Sequence, residues 1–315
     1  MAFYSFHLFA GIGGGILADV ALGFRPVGAV KNDSFCQKVL LSRQAARCLP
    51  WFPIWDDVRT FSASNPKTSD FVERLRSVRN SLVICGGFPC QDVSIAGKGV
   101  GLCGEKSGLW KDFSRVVREI RPGFVFLENS PELVRRGLSD ILTDFAALGY
   151  AFTWGVVSAA AVGAPHLRRR FWGLAVSDSN LQYCQKLYQF IATKTPFPGF
   201  KEFCCSLSNP RYKWSSGVFG SEETYCTAGT FDGTRKKVNV CGQWRDSEPV
   251  LGRVADGFSH WLDRFGQFDE SELSIPRIVL NCKNRANKLR ALGNAQVPIC
   301  AAVAFVVLLS RFLQV

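Results

Sequence analysis

A cysteine stands directly after a short apolar segment of the chain. Cys90 belongs to the segment Gly86–Gln91 (GGFPCQ), which follows the apolar run Ser81–Cys85. The sulfur of cysteine is intrinsically nucleophilic, and its thiol pKa of about 8.5 is easily lowered by its surroundings. Open α/β sheets bind ligands just beyond the carboxyl ends of their strands. This placement predicts that Cys90 is a nucleophile, although most free cysteines are inert core residues.

A carboxyl and two guanidinium groups lie beside later apolar segments. Glu128 comes directly after the apolar run Phe124–Leu127. An acid in that position is expected to be desolvated, which raises its pKa and lets it hold a proton. Arg168 and Arg170 lead into another apolar run, and alternate residues of a strand share one face. Considered separately, Glu128 could be a helix cap and the two arginines a solvated edge.

Glycines are concentrated near the N-terminus. The segment Phe9–Gly15 (FAGIGGG) lies between a predicted strand and a predicted helix. Glycines let a ligand approach the backbone, and the first amides of a helix are free to bind it. The dinucleotide fingerprint G-x-G-x-x-G is not met, because Ile16 stands three positions after Gly13. A packed glycine turn without a ligand is an equally good interpretation of this motif alone.

The elements that must position these residues alternate along the first half of the chain. Apolar runs alternate with segments of helical period, which indicates an α/β protein with a parallel sheet. The predicted strands are Phe3–Phe9, Pro26–Val30, Trp55–Val58, Ser81–Cys85, Phe124–Leu127, Ala151–Ala159 and Arg170–Val176. The predicted helices are Gly15–Leu22, Phe35–Ser42, Leu109–Ile120 and Pro131–Leu148. From Ser177 to about Asn287 the chain is rich in polar residues, glycine and aromatics without a sustained period, which predicts a loop-rich module of short strands.

Composition restricts the class of protein. With 47 % hydrophobic and 20 % charged residues the chain can build a core, and its net charge of +12 favours an anionic partner such as nucleic acid. The most apolar stretch, Val297–Leu309, is shorter than the roughly 20 residues that span a bilayer, and Pro298 would open it as a buried helix. We expect no membrane association.

The N-terminal residues lack the basic region of a signal peptide, so we expect a cytoplasmic protein with reduced thiols. Cys85 and Cys90 lack a second ligand pair, and we expect no metal site.

The motifs together resemble those of the DNA (cytosine-5) methyltransferases, which use S-adenosylmethionine. The resemblance depends on the order and spacing of several short motifs rather than on one of them. The matching segments are Phe9–Gly14 (cofactor loop), Asp57 (adenine contact), Pro89–Gln91 (catalytic motif), Glu128–Asn129, Arg168 with Arg170, and Gly293–Pro298 (last motif). The stretch from about Ser177 to Pro249 is not covered by it.

The resemblance implies a fold and a division into domains. We expect the α/β class, with the Rossmann-like sheet of S-adenosylmethionine-dependent methyltransferases and a smaller, loop-rich target-recognition domain. Residues 1–176, completed by residues 288–315, would form the catalytic, cofactor-binding domain. Residues 177–287 would form the target-recognition domain.

The resemblance also assigns roles to individual residues. The catalytic residues would be Cys90, Glu128, Arg168 and Arg170. The cofactor contacts would be Phe9, Gly11, Gly14, Lys31, Asn32, Asp57, Gly87, Pro89, Trp110 and Asn294. The contacts to DNA would be Gln91, Ser94, Lys98, Arg235 and Lys237.

The implied reaction is transfer of a methyl group from S-adenosylmethionine to C5 of a flipped cytosine, in a specific duplex DNA sequence, through a covalent Cys90 adduct. Double-stranded DNA would be the partner of a monomeric enzyme, and a cognate restriction endonuclease is an open functional partner. Three positions depart from the family. Lys31 stands where a Glu is usual, His166 where a Gln is common, and Ser130 where a Val is frequent. Two alternatives stay open: an RNA (tRNA) cytosine-5 methyltransferase, and a catalytically impaired DNA-binding relative, which Lys31 would explain.

Overall fold

A computed structural model describes residues 2–89, 108–162, 167–195 and 284–313. The strands in this part of the chain are β1 Tyr4–Leu8, β2 Arg25–Val30, β3 Ile54–Trp55, β4 Leu82–Gly86, β5 Phe124–Asn129, β6 Tyr150–Ser158 and β7 Arg169–Ser177. They form one sheet in the order β3-β2-β1-β4-β5-β7-β6. Strands β1 to β5 pair in parallel, whereas β7 is antiparallel to both β5 and β6.

The strand order reverses direction between β1 and β4. From β1 the sheet grows through β2 to β3 on one side and through β4 to β5 on the other. The loops after β1 and β4 therefore leave the sheet toward opposite faces and open a crevice at its carboxyl edge. In register, His7 of β1 lies opposite Cys85 of β4, and Leu8 lies opposite Gly86. The predicted cofactor turn and the segment leading to Cys90 consequently start side by side.

Helices cover both faces of the sheet. They are α1 Gly14–Ala21, α2 Ser34–Ala45, α3 Ser69–Ser77, α4 Leu109–Ile120, α5 Leu133–Arg136, α6 Leu138–Ala147, α7 Cys184–Lys194, α8 Arg285–Asn294 and α9 Pro298–Arg311. One core joins α1, α7 and α9 to the face of the sheet that carries Val83, Phe124 and Trp172. The other core joins α3, α4, α5 and α6 to the face that carries Phe6 and Leu127. Helix α4 lies against the sheet because its apolar residues recur every three or four positions.

Helix α9 is the central helix of the first core. Every residue from Cys300 to Arg311 is buried, and Pro298 occupies the first turn, as the sequence predicts. The span Arg285–Arg311 is long and apolar enough to cross a membrane by length and composition, and an 18-residue stretch within it has a mean hydropathy of 2.0. In the fold, however, the apolar part of that span packs against α1, β6 and β7. Burial inside the protein accounts for its hydrophobicity.

Most predicted elements are present, with three differences. The strand predicted at Trp55–Val58 is the two-residue β3, because the chain turns at Asp57, whose carbonyl accepts the amides of Thr60 and Phe61. The helix predicted at Pro131–Leu148 is two helices, α5 and α6, separated by the extended backbone of Gly137. Helix α3 was not predicted, because only two of its apolar residues, Val72 and Leu75, are buried and the helical pattern in the sequence is therefore weak.

The start of the predicted target-recognition domain is helical. Residues 178–183 form a 3-10 helix, and α7 follows in place of the expected short strands. Cys184, Leu187 and Ile191 of α7 are buried in the same core as α9. This helix therefore packs with the sheet, although it comes after residue 176. The domain division itself stays a prediction, since residues 196–283 lie outside the described part.

Candidate active site

The glycine turn after β1 has the backbone geometry of a ligand-binding turn. Phe9, Gly11 and Gly13 all have positive φ angles, of 57°, 57° and 92°. A side chain at Gly11 would meet no atom within 4 Å, so this part of the turn is open. Gly13 is the N-cap of α1, and the first amides of that helix carry partial positive charge. A carboxylate, such as that of S-adenosylmethionine, fits this end of the helix.

Asp57 follows β3 at the same edge of the sheet. Its carboxylate binds Arg59 in a bidentate manner, with Nε 3.0 Å from both oxygens and Nη2 2.6 Å from Oδ2. Hydrogen bonding by Arg59 holds the pKa of Asp57 below its usual value, so the group is an anion. Arg115 of α4 fixes the turn, because it donates to the carbonyl oxygens of Val58 (2.7 Å) and Phe61 (2.9 Å). The side chain of Asp57 is 24 % exposed, so a ligand can still reach the carboxylate.

Lys31 and Asn32 follow β2 beside this acid. The backbone of Lys31 is fixed at both ends, since its amide donates to Trp55 (2.8 Å) and its carbonyl accepts from Gln37 (2.5 Å). Asp33 caps α2 by accepting the amide of Cys36 at 2.9 Å, and it also pairs with Arg290 of α8 at 2.9 Å. The carboxylate of Asp33 is thus already engaged.

Glu128 is mostly buried at the end of β5. Its side chain is 13 % exposed, and its Oε1 lies 3.0 Å from Nε of Arg170. Burial raises the pKa of Glu128, while Arg170 and then Gln296 and Arg168 oppose that rise by favouring the charged form. The raised pKa confirms the expectation for an acid after an apolar strand. The carboxyl can therefore hold a proton, and in its ionised form it can pair with the guanidinium of Arg170.

Arg168 comes just before β7, in a backbone conformation with φ of 29°. Its guanidinium donates to the carbonyl oxygen of Gly293 at 2.8 Å and also to that of Ala295. Burial lowers the pKa of Arg168, and the nearby charge of Arg170 lowers it further. The two arginines thus have different contacts: Arg170 binds the acid, and Arg168 binds the segment that joins α8 to α9.

The segment that leads to Cys90 is held against Glu128. A methyl group at Gly87 would lie 2.6 Å from Oε2 of Glu128, so only glycine permits this approach. The side-chain amide of Asn129 donates to the carbonyl oxygen of Phe88 at 3.2 Å. Pro89 is the last described residue of this segment. Cys90 follows it directly in the sequence, and Glu128 adjoins the same loop.

Trp110 and Asn294, two residues predicted to contact the cofactor, lie in a hydrophobic core and on the surface, respectively. Trp110 is 4 % exposed, and its ring packs against those of Phe88, Phe113 and Phe145. Its indole N–H donates to Asp144 at 2.7 Å. Trp110 therefore belongs to the core that supports the segment at Phe88. Asn294 is exposed at the end of α8.

Several predicted site residues lie outside the described part of the chain. They are Cys90, Gln91, Ser94, Lys98, His166, Arg235 and Lys237. Their roles stay predictions. Ser130 is described, and its amide donates to the side chain of Asn129 at 2.8 Å. Sequence reasoning did not single out Gln296 or Arg115, and only the three-dimensional packing reveals their contacts.

A second buried polar cluster lies beneath the glycine turn. His7, Asp19 and Cys85 bring their ligand-type atoms within 4.8 Å of one another. Nε2 of His7 is only 2.5 Å from Oδ2 of Asp19, whereas two ligands of one tetrahedral zinc are separated by about 3.4 Å. Burial raises the pKa of Cys85 well above its usual value, so the residue remains a thiol. His7 and Asp19 are therefore separated by the distance of a hydrogen bond, which is too short for two ligands of one zinc ion.

The chain is similar to known methyltransferases. The profile of the family described as C-5 cytosine-specific DNA methylase matches residues 3–213. The Type II methyltransferase M.CviJI of Paramecium bursaria Chlorella virus IL3A is 33 % identical over 181 residues, 56 % of this chain and 44 % of the relative. The Type II methyltransferase M.HhaI of Haemophilus parahaemolyticus is 30 % identical over 183 residues, 56 % of this chain and 50 % of the relative. The crystal structure of S. pombe Dnmt2 methyltransferase is similar over 56 % of this chain and 51 % of that one, with 17 % identity and a TM-score of 0.44.

The seven-stranded sheet with its antiparallel β7 is the Rossmann-like fold of S-adenosylmethionine-dependent methyltransferases. Within that class, the chain belongs to the C-5 cytosine-specific DNA methylase family. The match to M.CviJI and M.HhaI covers half of their length or less. The methyl donor of the family is S-adenosylmethionine, and the open glycine turn, the amino end of α1 and the anionic Asp57 fit it. Lys31 is the one residue of the predicted set whose charge does not fit.

Proposed function

We propose that this chain is a DNA (cytosine-5) methyltransferase that modifies a cytosine within a specific duplex sequence. The observation that carries the proposal is the Glu128 carboxyl, which is mostly buried, has a pKa that this burial raises, and pairs with Arg170 beside the loop to Cys90. A carboxyl of this kind can bind the ring nitrogen N3 of cytosine and compensate charge that develops on the ring. A nucleophile one loop away can then attack the same ring.

In the proposed mechanism, the Cys90 thiolate adds to C6 of the cytosine, and the electron pair of the C5–C6 bond becomes available at C5. Bound S-adenosylmethionine would supply an electrophilic methyl group: the electron pair at C5 forms the new bond to the methyl carbon, the bond from that carbon to the sulfonium sulfur breaks, and S-adenosylhomocysteine leaves. Glu128 holds its proton at N3 while charge develops on the ring, and Arg170 orients the carboxyl. A base removes the C5 proton, the double bond re-forms, and the thiolate leaves from C6. Because C5 is inaccessible inside a stacked duplex, the cytosine must be flipped out.

We infer that the choice of DNA sequence lies in residues 177–287. This stretch departs from the regular alternation of strands and helices, and a module of more than about a hundred residues is too long for a simple surface loop. The net charge of +12 attracts DNA without selecting a sequence, so selection needs contacts to base edges. Exchange of residues 196–249 for the matching segment of a relative, which keeps the buried helix α7, should change the methylated sequence and preserve the chemistry. An active chimera that still methylates the original site would contradict this assignment.

The proposal is tested by expressing the protein in cells that lack 5-methylcytosine and sequencing their DNA after bisulfite treatment. Methylation at one short sequence is expected, and Cys90→Ser should abolish it. Duplex DNA with 5-fluorocytosine at that site should trap the wild type covalently, because no C5 proton can leave. If Cys90→Ser methylates at a rate near that of the wild type, the nucleophile is another group.

The two alternatives are distinguished by parallel assays. Methylation of transfer RNA and not of duplex DNA would identify an RNA methyltransferase. DNA binding without methylation, and without S-adenosylmethionine binding in calorimetry, would identify an impaired relative. A monomeric state, a cytoplasmic location and a cognate restriction endonuclease are further expectations of the proposal.

A further inference from the structure

Gln296 lies between α8 and α9 and packs on the first turn of α1. Its carbonyl oxygen would be 2.2 Å from a methyl group at Gly14, and its side-chain Oε1 would be 2.3 Å from one at Gly15. Neither position can carry a side chain while Gln296 is in place. The Cε1 atom of His7 lies on the same side of Gly15, at 3.3 Å from that methyl position. The contact between Gln296 and the glycine turn is therefore close and specific.

The amide nitrogen of the same side chain points toward Glu128. Nε2 of Gln296 would be 3.7 Å from a methyl group at Gly87, and Oε2 of Glu128 would be 2.6 Å from it. The amide and the carboxyl oxygen therefore lie on the same side of Gly87, and the amide favours the charged form of the carboxyl. The oxygen of the Gln296 side chain thus packs against the glycine turn, and its nitrogen faces Glu128.

The backbone around Gln296 is fixed by other residues. Arg168 binds the carbonyl oxygens of Gly293 and Ala295, just before Gln296. Val297, just after it, is the N-cap of α9, and α9 is buried in the core. Gln296 is consequently held on both sides, which allows its side chain to determine the position of a neighbour.

We propose that Gln296 is a positioning residue that joins the glycine turn to Glu128, so that the carboxyl is oriented by the same segment that closes the cofactor site. Its catalytic importance rests on the proposed function, whereas its effect on Glu128 does not. The last motif of the family would then act on the catalytic acid as well as on the cofactor pocket.

The charged and polar groups that face Glu128 determine how its pKa should change when Gln296 is substituted. Arg170 and Arg168 approach from the start of β7, and Gln296 approaches from the segment before α9. All three favour the charged carboxyl, and burial opposes them. Gln296→Met keeps the length of the side chain and removes its donor, so burial is less opposed and the pKa of Glu128 should rise. Hydrogen bonds to charged groups are strong enough to give a rise of about one pH unit.

The experiment is a ¹³C NMR titration of the Glu128 carboxyl in full-length protein without DNA or cofactor. Glu128→Gln assigns the resonance. Gln296→Met should move the midpoint upward by about one pH unit, and Gln185→Met, on the exposed side of α7, should not move it. A folded Gln296→Met protein whose Glu128 midpoint is unchanged would overturn the proposal.

A second variant covers the case in which Gln296→Met does not fold. Gln296→Glu is nearly isosteric, and it places a second carboxyl beside Glu128. Two adjacent carboxyls cannot both ionise easily, so the pair should titrate in two separated steps. Independent titration of the two groups would refute the contact. Because the titration needs no methyl transfer, an inactive wild type with the expected midpoints would contradict the proposed function and leave the positioning role intact.

A purely packing role is separated by kinetics. Loss of the side-chain packing on Gly15 would weaken S-adenosylmethionine binding and lower the melting temperature only. The positioning role predicts in addition that the single-turnover rate of Gln296→Met falls severalfold at saturating cofactor and DNA. A rate equal to that of the wild type under saturation would contradict it.

Discussion

Gly87→Ala is expected to displace Glu128, the proposed catalytic acid, without unfolding the protein. The added methyl carbon would lie 2.6 Å from Oε2 of Glu128, whereas ordinary contact begins at 3.4 Å, so the oxygen must retreat by about 0.8 Å. The backbone of β5 is paired with β4 and β7 on either side, so the side chain must move instead. A shift of Oε2 by this distance also moves the other carboxyl oxygen, Oε1, which now lies 3.0 Å from Nε of Arg170. Displacements near 1 Å can cost about a hundredfold in rate, so we expect a loss of tenfold to a hundredfold.

The assay is single-turnover methyl transfer at saturating S-adenosylmethionine, with cofactor affinity measured separately by calorimetry. The stability of Gly87→Ala should fall by no more than about 1–3 kcal/mol, the usual cost of one added methyl group in a packed site. Glu128→Asp provides the matched background, because its shorter side chain leaves room for the methyl group. In the Glu128→Asp background, Gly87→Ala should cause little further loss of the single-turnover rate. The effects of the two substitutions on that rate should therefore be non-additive. A wild-type rate for Gly87→Ala, or a loss confined to cofactor affinity, would refute the reasoning.

Two further predictions concern Lys31 and Glu128. Lys31→Glu should tighten S-adenosylmethionine binding by up to about a hundredfold, since a carboxylate can accept charge-assisted hydrogen bonds from both ribose hydroxyls; unchanged or weaker binding in calorimetry would count against this. Glu128→Gln should raise the melting temperature at pH 8 more than at pH 4. The reason is that burial raises the pKa of Glu128 in the folded state, so the native protein is penalised once pH exceeds the unfolded value, and the penalty is complete above the folded one. An equal shift at both pH values would contradict the raised pKa.

The fold could be predicted well where the hydrophobic period is strong. The sequence predicts α4 with the bounds that the structure has, because Trp110, Phe113 and Val117 recur on one face. The apolar runs before Cys90 and Glu128 also predict that both residues follow the ends of buried strands, and β4 and β5 end directly before Gly87 and at Asn129. Helix α3 could not be predicted with the same ease, since only Val72 and Leu75 give it a buried face.

The site could be predicted only in part, because its contacts join residues far apart in sequence. The raised pKa of Glu128 follows from the apolar strand before it. The environment of Trp110 does not follow from its neighbours, since its N–H partner Asp144 is on α6. The same holds for Gln296, whose contact at Gly15 depends on the packing of α9 against α1.

The balance of influences on Glu128 explains why the site needs these distant contacts. A group that donates and regains a proton near neutral pH must be stable in both states. Burial alone would favour the neutral carboxyl, and a close guanidinium alone would favour the anion. Here burial comes from the end of β5, and the opposing groups come from β7 and from the segment before α9. Each of Arg168, Arg170 and Gln296 therefore acts in the same direction, and removal of any one of them should leave the acid holding its proton more tightly.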